Sequence, residues 1–425
     1  MKIHTKFPTK RGLFFIIVVF FLFWIGAAHA QTQGQTGQQG APAQPGTAVT
    51  APAPAGEAQK PAETPPAKKP QPKNLGEAIN QGISEGFLKS DAAAGYLGIP
   101  GGPSPNWVLA FFWAVWVGWI FSTVGAFGGV MAGVGHLSVF GLGDYARTFK
   151  NTSPYMNKLV TDSIRVSNQY LVGLSAAISS FNYYRMGRIV LPLGIALGIG
   201  SVVGATAIPW LTAGKVQLSQ YQGYFGLIVL LLGIILIYEI TPQGEAGKKK
   251  AKAAAQAFEK SIKEKKSDAE MLASGVKVKS FGLSRVTFTF FGVEFSFNPI
   301  WPVIGGLVIS AISSFIGVGG GFLYVPFLTS VTGLPMYIVA GTSALTVLIS
   351  MITSIANYMA AGALVSWGLI GIELIGIIVG STIGPRTSKY IPDKWLKVLF
   401  IILALYIGIG YFSKGFFGTS WVPMG

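Results

Sequence analysis

The chain has 425 residues, of which 51% are hydrophobic and only 11% are charged, and it contains ten tryptophans. A composition this apolar excludes a soluble globular protein of this length and is typical of a polytopic membrane protein. The net charge of +16 comes from basic residues that cluster in loops, which indicates membrane orientation and not a nucleic-acid partner. Cysteine is absent and the three histidines are scattered, so we expect no disulfide, no metal site and no cofactor.

The N-terminus has the three parts of a secretory signal peptide within residues 1–30. Basic residues precede the apolar run LFFIIVVFFLFWIGA, and the small-residue site AHA follows at 28–30. Cleavage there would leave the new N-terminus outside the cytoplasm, and an uncleaved first membrane helix is the alternative. Residues 31–105 are predicted to be a disordered Pro/Ala/Gln-rich extracytoplasmic segment with one amphipathic helix within 74–96, because this composition buries little apolar area.

Apolar segments and polar gaps alternate from residue 106 onward. Five apolar segments lie in 106–240, with the third predicted at 166–184, and five lie in 299–425. The polar stretch 241–298 separates the two groups. The second segment of each group, 129–143 or 319–331, is shorter than the ~20 residues that a membrane-crossing helix needs. We therefore predict that each half contains a broken or re-entrant helix.

Three short blocks recur in the same order in both halves. FSTVGAFGGV at 121–130 matches SSFIGVGGGF at 313–322, FNYYRMGRI at 181–189 matches ANYMAAGAL at 356–364, and GSVVGA at 200–205 matches GSTIGP at 380–385. The abundance of glycine in membrane helices explains one such match, but three in order indicate duplication. The predicted fold is thus an all-α polytopic membrane protein with two repeated helical halves.

Basic residues predict which side of the membrane the loops occupy. The stretch 241–298 is lysine-rich, and Arg185 and Arg188 lie between two spans, so both loops are expected in the cytoplasm. An extracytoplasmic N-terminus then requires an odd number of crossings in the first half, which makes the repeats inverted, as in many secondary transporters. An even number would make them parallel, and this alternative stays open. The expected location is the inner (plasma) membrane.

The cytoplasmic stretch is predicted to contain two kinds of structure. AKAAAQAFEKSIKEKKSDAEML has helical composition, and VTFTFFGVEFSF alternates β-branched and aromatic residues, which predicts a short hairpin at the membrane surface. The lysines indicate a solvated face that also attracts anionic lipid, with a protein-docking site as the alternative.

The strongest functional signal is a glycine cluster followed by a proline inside an apolar stretch: Gly317, Gly319, Gly320, Gly321 and Pro326. The matching block of the first half supplies three glycines: Gly125, Gly128 and Gly129. Glycine lets the backbone leave the helix and approach a ligand closely, and successive N–H groups at such a break bind oxyanions. A bilayer tolerates a break only where protein or water satisfies the freed groups. The alternative is that these small residues only allow close helix packing.

Polar residues in the predicted spans add further candidates. Hydroxyl and amide donors for the same anion are predicted at Ser167, Asn168, Thr342, Ser343 and Asn357. Glu373 is the only carboxylate deep in a predicted span, which makes it the candidate for a coupling proton, with a protonated structural glutamate as the alternative. Arg165 either attracts anions or pairs with Asp162, and His136 is interpreted as a hydrogen-bonded packing residue.

These motifs resemble those of the sulfite exporter TauE/SafE family, also called the 4-toluene sulfonate uptake permease family. The family's G-x-G-G-G-x-x-x-x-P block corresponds to Gly317 through Pro326, and its Thr-Ser block to Thr342 and Ser343. In the first half Phe127 replaces a glycine, and no proline follows at the expected place. The resemblance implies a transporter that exports or imports small sulfur-containing anions such as sulfite, sulfonates or sulfoacetate.

Three classes of function compete on these observations. A secondary anion transporter that works by alternating access explains the duplication and both glycine blocks. An integral-membrane enzyme is not expected, because the chain has no intramembrane His or Asp cluster, zinc motif or nucleophile elbow. A non-transporting scaffold and a transporter of another small organic anion are the alternatives, and the oligomeric state stays open.

Overall fold

Helices dominate the structure, a computed structural model that describes residues 71–124, 127–242, 249–264, 267–330, 333–388 and 393–423. The predicted signal peptide (1–30), the part of the predicted disordered segment before residue 71 and Gly125 lie outside these residues. The first half contains α1 (Leu75–Ser84), a 3₁₀ turn (Tyr96–Gly98), α2 (Trp107–Val124), α3 (Gly128–Val134) with a following π-helical turn (Gly135–Val139), α4 (Leu142–Thr148), α5 (Pro154–Arg185), α6 (Leu191–Thr212) and α7 (Leu218–Glu239).

The polar stretch between the halves forms a small subdomain, and the second half is again helical. The subdomain contains α8 (Lys249–Lys263), α9 (Asp268–Ala273), β1 (Lys277–Phe281), β2 (Val286–Phe290) and β3 (Val293–Phe297). The second half contains α10 (Ile300–Ile316), α11 (Gly321–Ser330), α12 (Met336–Ala360), α13 (Trp367–Ser388) and α14 (Asp393–Phe416).

Five of these helices, α6, α7, α12, α13 and α14, are long and apolar enough to cross a membrane. Three shorter apolar helices, α2, α3 with its π turn, and α10, complete the set. The prediction of an all-α multi-pass membrane protein is confirmed, and the predicted short second segments correspond to α3 and α11. One difference concerns α5, which was predicted as a span beginning at residue 166 but begins at Pro154. The first turns of this helix are rich in polar residues, so hydropathy does not identify them as part of a membrane helix.

Glycines allow the helices of the two halves to pack in close parallel pairs. Gly376, Gly380 and Gly384 of α13 lie against the backbone of Phe111, Val115 and Trp119 of α2. In the same way, Gly200 and Gly204 of α6 lie against Val303 and Leu307 of α10. A side chain at these glycines would collide with the facing backbone, so close approach of the helices depends on them. The first membrane helix of each half, α2 or α10, therefore pairs with a helix of the other half, α13 or α6.

The first helices of the two halves run in opposite directions through the bundle. The Tyr183 hydroxyl, near the end of α5, donates to Ser122 O near the end of α2 at 2.7 Å. A short turn then leads into α6, which runs parallel to α10. Hence α2 ends on the side of the bundle where α10 begins. The duplication and its inversion stay predictions, as does the assignment of that side to the cytoplasm.

The segment before α2 is more ordered than its composition suggested. Residues 71–105 fall in the predicted disordered segment, yet Tyr96 and Ile99 are buried against the bundle and the Tyr96 hydroxyl lies 2.8 Å from Ser163 Oγ. The amphipathic helix is present but ends at Ser84. Two large buried residues in a polar sequence thus anchor this part on the bundle, and disorder before residue 71 stays a prediction.

The subdomain contains the predicted hairpin. β2 and β3 pair antiparallel, with Val286 opposite Phe297, and Phe291 and Gly292 form the turn with φ of 47° and 78°. β1, which was not predicted, adds a third strand beside β2. The Phe258 ring of α8 lies 4.3 Å from the Tyr337 ring at the start of α12, tilted by 39°, so the subdomain packs directly on the helical bundle.

We predict that Gly380→Val lowers the melting temperature, because the added side chain collides with the α2 backbone and overpacking costs about 1–3 kcal/mol. Gly371→Val is the matched control, since a Cβ at Gly371 of the same helix meets no atom within 4 Å. Thermal unfolding of both purified variants in detergent tests this. Equal melting temperatures would contradict the packing role of Gly380.

Candidate functional site

The predicted helix break of the second half is present between α10 and α11. The chain leaves the helix at Gly317, whose φ is 69°, and Gly319 and Gly320 follow with φ of 77° and 51°. These values lie in the left-handed region, which glycine adopts without the penalty of other residues. A Cβ at Gly317 would also lie 2.6 Å from Arg165 O, so the backbone conformation and the close packing both require glycine there.

The break frees the last four carbonyl groups of α10, and each of them has a donor. The donors are the Gly317 N–H for Ser313 O, Gln169 Nε2 for Ser314 O at 3.3 Å, Arg165 Nε for Phe315 O at 2.7 Å, and the Tyr221 hydroxyl for Ile316 O at 2.9 Å. Three of these donors are side chains of α5 and α7. The polar residues of α5 thus satisfy backbone groups that a membrane interior leaves without water.

Arg165 is fully committed to this structural role. Besides the Phe315 carbonyl, its guanidinium donates to Asp162 Oδ1 at 2.8 Å and to Thr212 Oγ1 at 3.0 Å. It also lies over the Tyr358 ring at 4.8 Å, and the side chain is completely buried. The sequence left two roles open for Arg165, attraction of anions or pairing with Asp162. The structure shows the pairing with Asp162.

The other side of the break is less satisfied. The Gly321 N–H bonds to Gly319 O, but the N–H groups of Gly319 and Gly320 have no hydrogen-bond partner among the described residues. They precede α11, a helix of ten residues, whose N-terminal end carries partial positive charge. The break therefore combines occupied carbonyls with free donors, an arrangement that favours an anion.

The two breaks of the chain touch each other. Gly129 of α3 lies so close to Val318 O that no side chain fits between them. In the first break Phe127, buried and with a φ of 62°, stands where the second half has glycine, and its ring stacks on Phe400 at 4.7 Å. Such a conformation costs a non-glycine residue about 1–2 kcal/mol and is often kept at functional sites. Gly128 packs against Phe121 and the Val117 carbonyl.

The structure adds one hydroxyl that the sequence argument missed. Ser350 Oγ of α12 is buried and has no hydrogen-bond partner among the described residues. It shares a face of α12 with Val347, which packs at Gly319, and with Ser354, whose hydroxyl lies 2.5 Å from Ser314 Oγ. Thr342, Thr346, Ser350 and Ser354 recur every fourth residue, and this spacing was the available signal.

Several predicted donors bond elsewhere. Thr342 Oγ1 accepts the Val190 N–H at 3.1 Å, Ser343 Oγ donates to Ala340 O at 3.1 Å, and Asn357 Oδ1 accepts Trp210 Nε1–H at 2.7 Å. Pro326 lies inside α11, beyond the break. The structure thus brings Gly317, Gly319, Gly320 and Gly129 together. The hydroxyl of Thr342 and the amide of Asn357 bond at other helix junctions, and the Ser343 hydroxyl bonds within its own helix.

Glu373 is paired with His136, a contact that the sequence argument did not foresee. His136 Nε2 lies 3.2 Å from Glu373 Oε2, and both side chains are completely buried. On its other side, His136 Nδ1 lies 2.6 Å from Asn168 Oδ1. Ser167 and Asn168, two of the anion donors predicted from the sequence, lie on α5 and are buried. The Asn168 side chain, however, bonds to other protein groups. The hydrogen bonds of His136 agree with its interpretation as a hydrogen-bonded packing residue, and the contact with Glu373 is additional.

Basic side chains line a cleft at the end of the bundle opposite the subdomain. Arg147, Lys150 and Lys414 surround it, between the start of α7 and the end of α14. Arg147 donates to Gln222 Oε1 at 2.7 Å, and Lys414 pairs with Asp144 at 2.9 Å. Three of the eleven lining residues are basic, and such side chains around a cleft raise the local concentration of anions.

A helical bundle with two opposed helix breaks that meet in a buried polar core defines a multi-pass membrane protein of the transporter type. The family model for the sulfite exporter TauE/SafE family matches residues 109–411, and the chain belongs to this family. The resemblance noted in the sequence is thereby confirmed. The proteins of this family are membrane transporters of sulfur-containing anions. No curated protein and no solved structure matches the chain.

We predict that Thr342→Val lowers the free energy of unfolding by about 1–3 kcal/mol, because the buried Val190 N–H loses its acceptor. Thr353→Val is the control, since the Thr353 hydroxyl bonds only to a carbonyl of its own helix, Ile349 O at 2.9 Å. Melting temperatures and anion binding are measured for both variants. A Thr342→Val protein that melts normally but no longer binds anion would instead support the role predicted from sequence.

Proposed function

We propose that the protein is a secondary transporter that carries a small sulfur-containing anion, such as sulfite, a sulfonate or sulfoacetate, across the inner membrane. The observation that supports this proposal most directly is the contact of Gly129 with Val318. Through this contact the two helix breaks lie side by side in the buried interior of the bundle. Family membership supports the substrate class. Export and import are both compatible with the geometry.

The anion binds to the N–H groups of Gly319 and Gly320, with Ser350 as a further donor. A sulfonate or sulfite group has oxygen atoms that accept several hydrogen bonds at once, which suits converging neutral donors. Each such bond contributes about 0.5–1.5 kcal/mol net, so the total allows both binding and release. Arg165 beside the break is occupied by Asp162 and Phe315 O and does not hold the anion permanently.

The direction of the two broken elements supports a mechanism of alternating access. The α2–α3 element starts from one end of the bundle and the α10–α11 element from the other, and both turn back near the shared contact. Opening on either side of this contact exposes the same N–H groups to one compartment at a time. The glycines of the break absorb the backbone rotation that such opening needs.

We predict that Gly320→Ala abolishes anion binding and transport, because the Cβ would lie 3.0 Å from Ser313 Oγ and alanine disfavours a φ of 51°. Gly371→Ala, in an open helical position, should bind and transport normally. Binding of a radiolabelled sulfonate and its exchange across proteoliposomes are measured with the melting temperature. Normal exchange by Gly320→Ala would reject the proposed binding place.

Because Gly320→Ala also strains the backbone, Ser350→Ala provides a milder test. Loss of this hydroxyl should weaken sulfonate binding about two- to tenfold, the equivalent of one hydrogen bond, without lowering the melting temperature. Ser413→Ala is the control, since Ser413 is equally buried but bonds to carbonyl groups of α14. Unchanged affinity in Ser350→Ala would remove this residue from the site.

A further inference from the structure

Glu373 has an environment in which a lone negative charge is costly. Its side chain is completely buried, and within the described residues neither carboxylate oxygen has a partner other than His136 Nε2 at 3.2 Å. An unpaired charge in a membrane interior is so unfavourable that buried acids hold a proton or a partner. The pair is therefore expected to hold at least one proton in the resting state.

The partners of His136 determine which ring nitrogen exchanges that proton. His136 Nδ1 faces two oxygen atoms, Asn168 Oδ1 at 2.6 Å and Ala132 O at 3.2 Å, so Nδ1 carries a hydrogen and donates it. Nε2 faces Glu373 Oε2 at 3.2 Å without an aligned hydrogen bond, so the proton of the pair can reside on either group. His136 lies in the π-helical turn Gly135–Val139, a local geometry that is frequent at functional sites.

A continuous hydrogen-bond relay leads from this pair to the glycine break. Asn168 Nδ2 donates to the Tyr221 hydroxyl at 3.4 Å, and that hydroxyl donates to Ile316 O at 2.9 Å. Ile316 is the last residue of α10 before the break. With the His136 to Asn168 bond, every donor of the relay points toward the break.

We propose that His136 and Glu373 bind the coupling proton and that the relay through Asn168 and Tyr221 couples this site to the anion site. The inference rests on the transport function proposed above. With one shared proton the pair is neutral, and with two protons it carries a charge of +1. An anion at the nearby break favours the positive form, and by reciprocity the second proton favours the anion. Anion and proton are therefore expected to move in the same direction.

The other ionisable groups around the relay do not replace this pair. Tyr96 faces Glu373 from the N-terminal segment, with its hydroxyl bonded to Ser163. The α2 helix has no charged residue, and Arg165 and Asp162 of α5 pair with each other. Tyr221 itself is part of the relay, where it acts as a positioning residue.

The test uses proteoliposomes that contain a pH-sensitive dye and a sulfonate whose acid group stays ionised at every pH used. An inward sulfonate gradient should acidify the interior of vesicles that contain the unmodified protein. Glu373→Gln should abolish this acidification but retain exchange of labelled sulfonate, which needs no net proton movement. Glu239→Gln is the matched control, because Glu239 is also buried but accepts a hydrogen bond from Thr329. Tyr221→Phe should reduce the protons moved per sulfonate.

A second measurement separates this inference from the transport function. Infrared difference spectra between acidic and alkaline pH should contain a carboxylic-acid carbonyl band that Glu373→Gln lacks. If this band is present but the unmodified protein exchanges no sulfonate, the proton site stands and the proposed transport function fails. The coupling inference is overturned by a different set of results. In that case the unmodified protein exchanges sulfonate normally but moves no proton, and Glu373→Gln changes neither transport nor the infrared spectrum.

A separate observation concerns the turn between β1 and β2. The register pairs Phe281 with Val286 and Val286 with Phe297, which puts this turn at the end of the sheet where α10 begins. At that level Trp301 of α10 is 60% exposed, as expected for a tryptophan at the lipid interface. In the turn, Phe281 is 72% and Leu283 is 90% exposed.

We infer that the turn segment 281–285 docks on the anionic lipid surface beside α10. Two exposed apolar side chains next to Arg285, on a lysine-rich subdomain, match a surface with an apolar interior and negative head groups. The position of the turn beside the start of a membrane helix puts it within reach of that surface.

The absence of cysteine allows a direct test with single labels. Leu283→Cys and, at the other end of β1, Lys277→Cys are labelled with a fluorophore in proteoliposomes that contain phosphatidylglycerol. Brominated lipid should quench the Leu283→Cys label and an aqueous quencher should spare it, with the reverse at Lys277→Cys. Equal access of the aqueous quencher to both labels would overturn the inference. Protection of Leu283→Cys that disappears when the protein is diluted in lipid would assign the turn to a second copy of the chain instead.

Discussion

A helix that breaks inside a membrane must find partners for the backbone groups it frees, and this requirement explains much of the polar interior of the protein. The four carbonyls at the end of α10 are satisfied by the break itself and by Gln169, Arg165 and Tyr221. Asp162 and Thr212 then stabilise the buried Arg165. The unusual polarity of α5 is a consequence of the break that it supports.

The distribution of occupied and free backbone groups at the break indicates the charge of the proposed ligand. The protein has provided donors for the carbonyl side of the break and left the N–H groups of Gly319 and Gly320 without partners among the described residues. A cation would need the opposite arrangement, with free carbonyls. Because the arginine beside the break is already neutralised by Asp162, the proposed binding place relies on dipoles and not on a full charge to attract anions. Weak, neutral donors suit a carrier that must release its substrate.

The parts of this structure that local sequence patterns specify were predictable. The glycine cluster predicted the break at Gly317, the alternation in VTFTFFGVEFSF predicted the hairpin, and the apolar segments predicted the spans. The contact of His136 with Glu373 was not predictable, because the two residues lie in different halves and no local periodicity links them. For the same reason, Thr342 was assigned to the anion although its hydroxyl serves the Val190 N–H.

The position of α5 between both sites gives the coupling a physical basis. Arg165 and Gln169 hold the end of α10, and Asn168, on the same helix, holds His136. A displacement of the break that repositions the Ile316 carbonyl must also disturb Tyr221, and through it the orientation of the Asn168 amide. Since that amide fixes the hydrogen on His136 Nδ1, the proposed coupling requires the pair to respond to the conformation of the break. Coupling then needs no long mechanical pathway, because one helix contacts both sites within a few residues.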